Sequence, residues 1–435
     1  MHGVTSSHEC QEHDGTANQR TCIYHNILMQ QGRAVLPVLR IRITHVDDLN
    51  PALRNAQTTQ MPTAVFYFAP WAINYYHSFA ETLVGMHIVA CLRFGHCDAS
   101  TMPGPRLFRI EVDWRDWDWS KSMPALQDMA RCISPEGILH INNSKHYEQV
   151  VWIESAAMGI GPYNRAYGGQ TGRKYFRKAY PQRPPAWLLQ AFRDRISSCL
   201  GFSIADLSQK PHEKLYITIV QRGDDQGRHI LNTRATVKRI WDAFKPDLQH
   251  VRIMRPEELS PKEVLHNMGN SHIVITTHGA ALANFLFLPK HAAVIEYMWH
   301  KEMVPEHRWS LELLQDLQVP VSFLGLHTNE TRLGEWRRES FIHQPKWQNL
   351  TKEQRLDFYE DKDLPAELLD DMHRRWHMNF NLDFKMLEPA IRQAINAIRS
   401  GVPVTNVHWI GNATESDGAH VPGVASSTRR LMMSS

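Results

Sequence analysis

Between Lys214 and Tyr297, short apolar runs alternate with segments of helical period, and this alternation restricts the possible folds more than any other feature of the chain. Leu215 to Val220 (LYITIV) is uncharged and rich in β-branched residues, the composition of a strand buried on both faces. After a polar loop, Asn232 or Thr233 can cap a helix in which Val237, Ile240, Trp241 and Phe244 recur at i, i+3, i+4 and i+7, with Pro246 beyond its end. Val251 to Met254 predicts a second strand. Ser260-Pro-Lys-Glu263 has the form of a capping box with proline at the first helical position, Leu265 and Met268 face inward, and Gly269-Asn270 supplies the stop. His272 to Thr276 predicts a third strand, His278-Gly279 a turn opening a short helix through Asn284, and Ala292 to Tyr297 a fourth strand. Strands joined through helices lie parallel, and the helices then cover both faces of the sheet.

The first half repeats the pattern less sharply. Ala64 to Phe68, Leu107 to Val112 and Gly137 to Ile141 predict strands. His77 to Phe94, with Phe79, Leu83, Met86 and Ala90 on one face, and a segment around Leu126 to Cys132 predict helices. A second α/β unit follows, so that two doubly wound, Rossmann-like domains would face one cleft. Gly159 to Arg183 is rich in glycine, tyrosine and basic residues and ends in Pro181, Pro184 and Pro185, which predicts a mobile loop ahead of a helix over Pro185 to Leu200. Phe384 to Ile398 carries an apolar stripe through Leu387, Ile391, Ala394 and Ile398, the mark of a helix docked on a domain surface and packing across the molecule. The expected organisation is an N-terminal extension with the first elements over 1–60, α/β domains over 61–200 and 201–345, a helical segment over 346–400 and a disordered tail over 401–435, with the last twenty residues frayed.

Composition excludes several classes of function. A chain of 435 residues that is 43% hydrophobic and 21% charged, with a formal net charge of +3, is globular and lacks the overall field that grips nucleic acid. Ser271 to Pro289 contains no Asp, Glu, Lys or Arg, yet His272, His278, Gly279 and Asn284 argue against a transmembrane segment and for a buried strand, turn and helix. Ala64 to Ile73 is too short to span and reads as core. The 25 histidines form no metal-spaced cluster, and the six cysteines include no C-x-x-C pair. An even cysteine count permits disulfides, and sequons at Asn142, Asn329, Asn349 and Asn412 suit a luminal protein. The first twenty residues have neither a basic n-region nor an apolar h-region.

Ligands of open α/β sheets bind at the carboxyl ends of the strands. At that edge the turn Thr276-Thr277-His278-Gly279-Ala280-Ala281 joins a strand to a helix start, where free amides and small residues suit an anion. The alternative is a tightly packed turn with no ligand. The loop after Leu215 to Val220 carries Arg222 and Arg228, whose guanidinium forks match phosphate oxygens, or whose charges are met by Asp224 and Asp225 in a solvated loop.

Arg222, Arg228 and Asn232, followed by His278-Gly-Ala-Ala-Leu-Ala-Asn284-Phe-Leu-Phe-Leu-Pro289 and Ala-Val-Ile-Glu296, resemble the pattern of glycosyltransferase family 61. Asn74-Tyr-Tyr-His77 is similar to that family's Asn-x-x-His element, while Lys290-His291 departs from its usual Pro-Gly turn. The resemblance implies a GT-B-like fold with an acceptor-side first domain and a nucleotide-sugar-binding second domain. It implies inverting transfer of GlcNAc, xylose or arabinose from a UDP-sugar to a glycan or protein Ser/Thr hydroxyl, with no cofactor and no essential metal. Arg222 and Arg228 would contact the diphosphate, the His278, Gly279 and Ala280 turn would seat it, and Asn232, Asn284 and Glu296 would lie around the donor. His77 would line the cleft as the base. The family also implies the lumen of the Golgi or endoplasmic reticulum, and because no anchor precedes the domain, a truncated gene reading is expected. Two rivals remain: a metal-dependent transferase using Asp116-Trp-Asp118, a short pattern that also recurs at Asp361-Lys-Asp363, and a non-catalytic nucleotide- or glycan-binding protein of the same fold.

Overall fold

In a computed structural model of the protein, the described residues are 7–12, 20–31, 41–45, 59–69, 75–98, 104–111, 124–140, 151–159, 185–205, 207, 214–223, 228–298, 310–311, 313–315, 318–327, 331–333, 351 and 378–406. The expected loop from Gly159 to Arg183 beyond its first residue, the asparagines of the four sequons, both Asp-x-Asp pairs, Asp224, Asp225 and the last twenty residues lie outside them.

Two sheets organise the chain. The first contains β1 (Ser7–Glu12), β2 (Arg20–Gln31), β3 (Ile41–His45), β4 (Thr59–Ala69), β5 (Arg106–Glu111), β6 (Ile138–His140) and β7 (Val151–Gly159), in the order β1-β2-β7-β4-β5-β6 with β3 beside β2. From β7 through β6 the strands are parallel, whereas β2 is antiparallel to β1, β3 and β7. This corrects the doubly wound expectation for the first half: the sheet is mixed, and strands from the first 45 residues form its antiparallel side.

The helix expected after β4 has two geometries, a π-helical stretch His77–Leu83 and then α1 (Val84–Phe94), which Gly95 ends in the left-handed conformation at φ 70°. Phe79, Leu83, Met86 and Ala90 are completely buried, as their spacing predicts. Next come α2 (Pro124–Arg131) and α3 (Ala186–Leu200). A disulfide joins Cys132 at the end of α2 to Cys199 in α3, and another closes the turn from Cys91 to Cys97. Cys22, also disulfide-bonded, stands opposite Cys10 in the β1–β2 register. Arg195 of α3 is buried and donates to the carbonyls of Cys132, His96, Asp98 and Ile133, which satisfies a charge that would otherwise be costly inside a core.

The second sheet is built from β8 (Leu215–Val220), α4 (Thr233–Phe244), β9 (Leu248–Met254), α5 (Pro261–Gly269), β10 (Ile273–Thr277), a 3-10 helix Ala280–Phe287, β11 (Ala293–Met298) and β12 (Ser322–His327). A separate antiparallel pair, β13 (Thr331–Leu333) and β14 (Met378–Phe380), precedes α6 (Phe384–Ser400) and β15 (Thr405–Asn406). Strand order is β15-β12-β11-β10-β8-β9, and every pairing is parallel. Ser260 and Glu263 form the expected capping box at α5, with Ser260 N–H donating to Glu263 Oε2 at 2.8 Å.

Side chains alternate across these strands and so feed two cores. Val274, Val294 and Phe323 face one that continues through Phe79, Phe192 and Phe287 to Val65 and Leu107 of the first sheet. Ile273, Ile275, Ile295 and Leu324 face the other, covered by Ile240 and Phe244 of α4 and by Leu387, Ile391, Ala394 and Ile398 of α6. The helix expected to pack across the molecule therefore completes the outer layer of the second sheet alone. Its stripe matches that sheet's aliphatic face, and the connection between the two sheets runs through α1, α3 and the 3-10 helix instead.

Candidate functional site

From β8 the chain moves outward to β9 and then returns past β8 to β10, so the direction of strand addition reverses between β8 and β10. At such a switch point the loops leaving the carboxyl ends diverge to opposite faces and open a crevice. The β8 loop begins Gln221-Arg222, and the β10 loop is His278-Gly279. Topology thus brings together the two segments that the sequence marks for anion binding.

Their side chains converge closely. A Cβ placed on Gly279 would lie 3.1 Å from Nη1 of Arg222 and 3.1 Å from Nη1 of Arg228. Arg228 Nη1 donates to the His278 carbonyl at 3.0 Å, which fixes one guanidinium over the turn. Burial lowers the pKa of Arg222 from the ordinary arginine value, opposed by the charge of Glu257. Guanidinium keeps its proton even so, leaving a partly desolvated cation that favours an anion in place of lost water. Gly279, Ala280 and Ala281 remain partly exposed between buried neighbours. Leu282 N–H makes the first bond of the 3-10 helix, to Gly279 O at 3.1 Å, so the Ala280 and Ala281 amides precede the helical ladder and lie at its positive end.

A buried layer supports this turn. Glu296 is completely buried, and its Oε1 lies 2.9 Å from His278 Nδ1, in an arrangement that orients the imidazole. Below the arginines, Thr233 Oγ1 donates to Gln221 Oε1 at 2.7 Å, and His229 Nδ1 donates to Arg222 O at 2.7 Å. The first sheet contributes Tyr75, whose hydroxyl donates to Asn284 Oδ1 at 3.0 Å; burial pushes this phenol's pKa up. The helix that follows β4 therefore meets the helix that follows β10.

The structure gathers Arg222, Arg228, His278, Gly279 and Ala280 at one place. Glu296 acts on that place through His278, and Asn284 is a buried tie to Tyr75. Asn232 does not cap α4 with its side chain, which instead exchanges two hydrogen bonds with the Leu382 backbone. His77 begins the π-helical stretch two residues after Tyr75, and its side chain lies outside the described residues. Gln221, His229, Thr233 and Tyr75 were missed as supports. Tyr75 lay within the quoted Asn-Tyr-Tyr-His element, whereas a hydrogen bond such as Thr233 to Gln221 leaves no periodic signal. Among the described residues, no three His, Cys, Asp or Glu side chains converge to hold a metal ion, and no helix is long and apolar enough to cross a membrane.

Comparison with known proteins bears on the same span. No curated protein matches the chain. The family model described as glycosyltransferase 61 matches residues 75–295. That interval is about half of the 435 residues, and it begins at the tyrosine that reaches Asn284 and ends one residue before the glutamate that holds His278. With both halves of the crevice inside the match, the chain belongs to glycosyltransferase family 61.

Proposed function

We propose that the protein transfers GlcNAc, xylose or arabinose from a UDP-sugar to a glycan or protein hydroxyl, with inversion at the anomeric carbon and no essential metal ion. The observation that carries this reading is the convergence of Arg222 and Arg228 on Gly279 at the switch point of a parallel sheet. Each charge-assisted hydrogen bond to a phosphate oxygen contributes about 1.5–3 kcal/mol, so two guanidinium groups and the first amides of the 3-10 helix suffice to hold a diphosphate.

In the proposed reaction the acceptor oxygen bonds to C1 from the face opposite the diphosphate, the bond from C1 to the phosphate oxygen breaks, and its electron pair leaves with UDP. Arg222 and Arg228 stabilise the negative charge that grows on the departing group, which lowers the barrier because this charge is largest in the transition state. His278 and Ala280 shape the seat from the turn, with Glu296 holding the His278 ring. Asn232 serves the donor by anchoring the Leu382 backbone, and Asn284 by holding the Tyr75 side chain beside it. His77, next along the helix from Tyr75 and Tyr76, is the proposed proton acceptor. Residues 61–200 then form the acceptor side and 201–345 the donor side of a GT-B-like pair, a reading supported by the Tyr75–Asn284 contact. A Golgi or endoplasmic reticulum lumen is also proposed; the lack of any free cysteine among the described residues suits an oxidising compartment.

A panel of UDP-sugars, assayed for UDP release with and without excess chelator, tests this directly. Release from one donor, unchanged by chelator, is expected, and acceptor screening of xylan fragments against Ser/Thr and O-mannosyl peptides then follows. Loss of release in chelator would favour the metal-dependent rival, and UDP binding without turnover the non-catalytic one.

A further inference from the structure

The segment from β14 to the start of α6 reaches back to the loop that carries Arg228. His229 N–H donates to Asn379 Oδ1 at 3.0 Å, Phe380 N–H donates to His229 O at 3.1 Å, and Leu231 N–H donates to Phe380 O at 2.9 Å. Asn232 extends the run: its Nδ2 donates to Leu382 O at 2.9 Å and its Oδ1 accepts from Leu382 N–H at 2.8 Å. Tyr297 OH then donates to Asp383 O at 3.1 Å, which ties the same segment to β11. Asn379 is 7% exposed and Phe380 is completely buried, so the segment is packed into the core.

This run of bonds begins one residue after Arg228, whose backbone is left-handed at φ 61°. A residue with a side chain disfavours that conformation and keeps it only where its neighbours enforce it. The first amide after Arg228 is held by the Asn379 side chain, and on the other side Arg228 Nη1 reaches the His278 carbonyl. We propose that Asn379 is a positioning residue for donor binding: by holding the His229 amide, it keeps Arg228 in the left-handed conformation that directs its guanidinium onto the His278–Gly279 turn. The proposal rests on the reading of Arg222 and Arg228 as a diphosphate seat. Asn379 lies outside residues 75–295, so a segment beyond the family match shapes the site within it.

Calorimetric titration of UDP into the full chain, its Asn379→Ala, Asn379→Asp and Arg228→Ala variants, and steady-state kinetics with the accepted donor test this. Asn379→Ala should raise the UDP Kd about five- to tenfold and lower the donor kcat/KM by at least as much, because Arg228 both holds the diphosphate and stabilises the charge that grows on it. Asn379→Asp keeps an acceptor oxygen and should restore most of the affinity. Wild-type UDP affinity in Asn379→Ala, alongside weakened binding in Arg228→Ala, would overturn the positioning role and leave the seat standing. Unchanged affinity in both variants would reject the seat and the proposal with it. Equal losses in the alanine and aspartate variants would mark a structural role and overturn the proposal as well. If Asn379→Ala does not fold, hydrogen exchange on the unsubstituted protein decides: the His229 amide must be protected before UDP is added, and exchange at the unprotected rate contradicts the proposal.

Discussion

Gly279 has extended backbone, φ 163° and ψ −171°, so an alanine there meets no conformational strain. Its methyl group would nevertheless stand 3.1 Å from both arginine Nη1 atoms, inside the comfortable range of about 3.5–4.0 Å. Gly279→Ala should therefore lower donor kcat/KM about tenfold or more by displacing the guanidinium groups, while the unfolding temperature moves by no more than about 2 °C. Equal kinetics in the variant would mean that the arginines do not work at this distance. His87 allows a separate test of burial. Neither ring nitrogen has a hydrogen-bond partner among the described residues, and burial, reinforced by the charge of Arg195, lowers its pKa from 6.5 to about 3. The folded chain keeps the ring neutral while the unfolded chain takes up a proton below pH 6.5, so stability is lost as pH falls from 6.5 toward 3. The slope from this one group is about 1.4 kcal/mol per pH unit, and His87→Leu should remove it from urea-unfolding curves measured across that range. An unchanged slope would contradict a neutral, unpartnered ring.

At the level of elements, the disulfides Cys132–Cys199 and Cys91–Cys97 should contribute unequally. Cys132–Cys199 closes 67 residues of sequence and joins α2 to α3, whereas Cys91–Cys97 closes 6. Loop-closure entropy assigns about 4 kcal/mol to the first and about 2 kcal/mol to the second, so paired alanine substitutions, compared by denaturant unfolding, should rank in that order. The same contrast between local and distant relations decided what the sequence revealed. The strands β8 to β11 and the helices between them were legible because uncharged β-branched runs and the Ser260–Glu263 box are local signals. The strands β1, β2 and β7 were not, since RTCIYHNILMQQ and VWIESAAMG mix polar and apolar residues without a clean two-residue period. The strand β12 (SFLGLH) stayed hidden because its short apolar run is interrupted by Gly325 and lies beyond the clear alternation that ends at Tyr297. Arg222, Arg228 and Gly279 could be singled out as candidates from their places at strand ends. Asn379 stayed hidden because only the fold brings it, 150 positions away, to the His229 amide.

Across the whole molecule, the first sheet and the second share one aromatic and aliphatic core, and the crevice lies where the helix after β4 touches the helix after β10. Stacked Phe79 and Phe287, with ring centroids 6.2 Å apart, fasten these two helices behind the site. The small overall charge is compatible with two guanidinium groups gathered at one turn. The account depends most on Arg222, which is partly desolvated and directed at Gly279. The measurement that tests it is the transfer rate of Arg222→Ala with the accepted UDP-sugar, on protein whose unfolding temperature matches that of the unsubstituted chain. A fall of about two orders of magnitude or more is predicted if this guanidinium stabilises the departing diphosphate. A near-normal rate in the folded variant would contradict it.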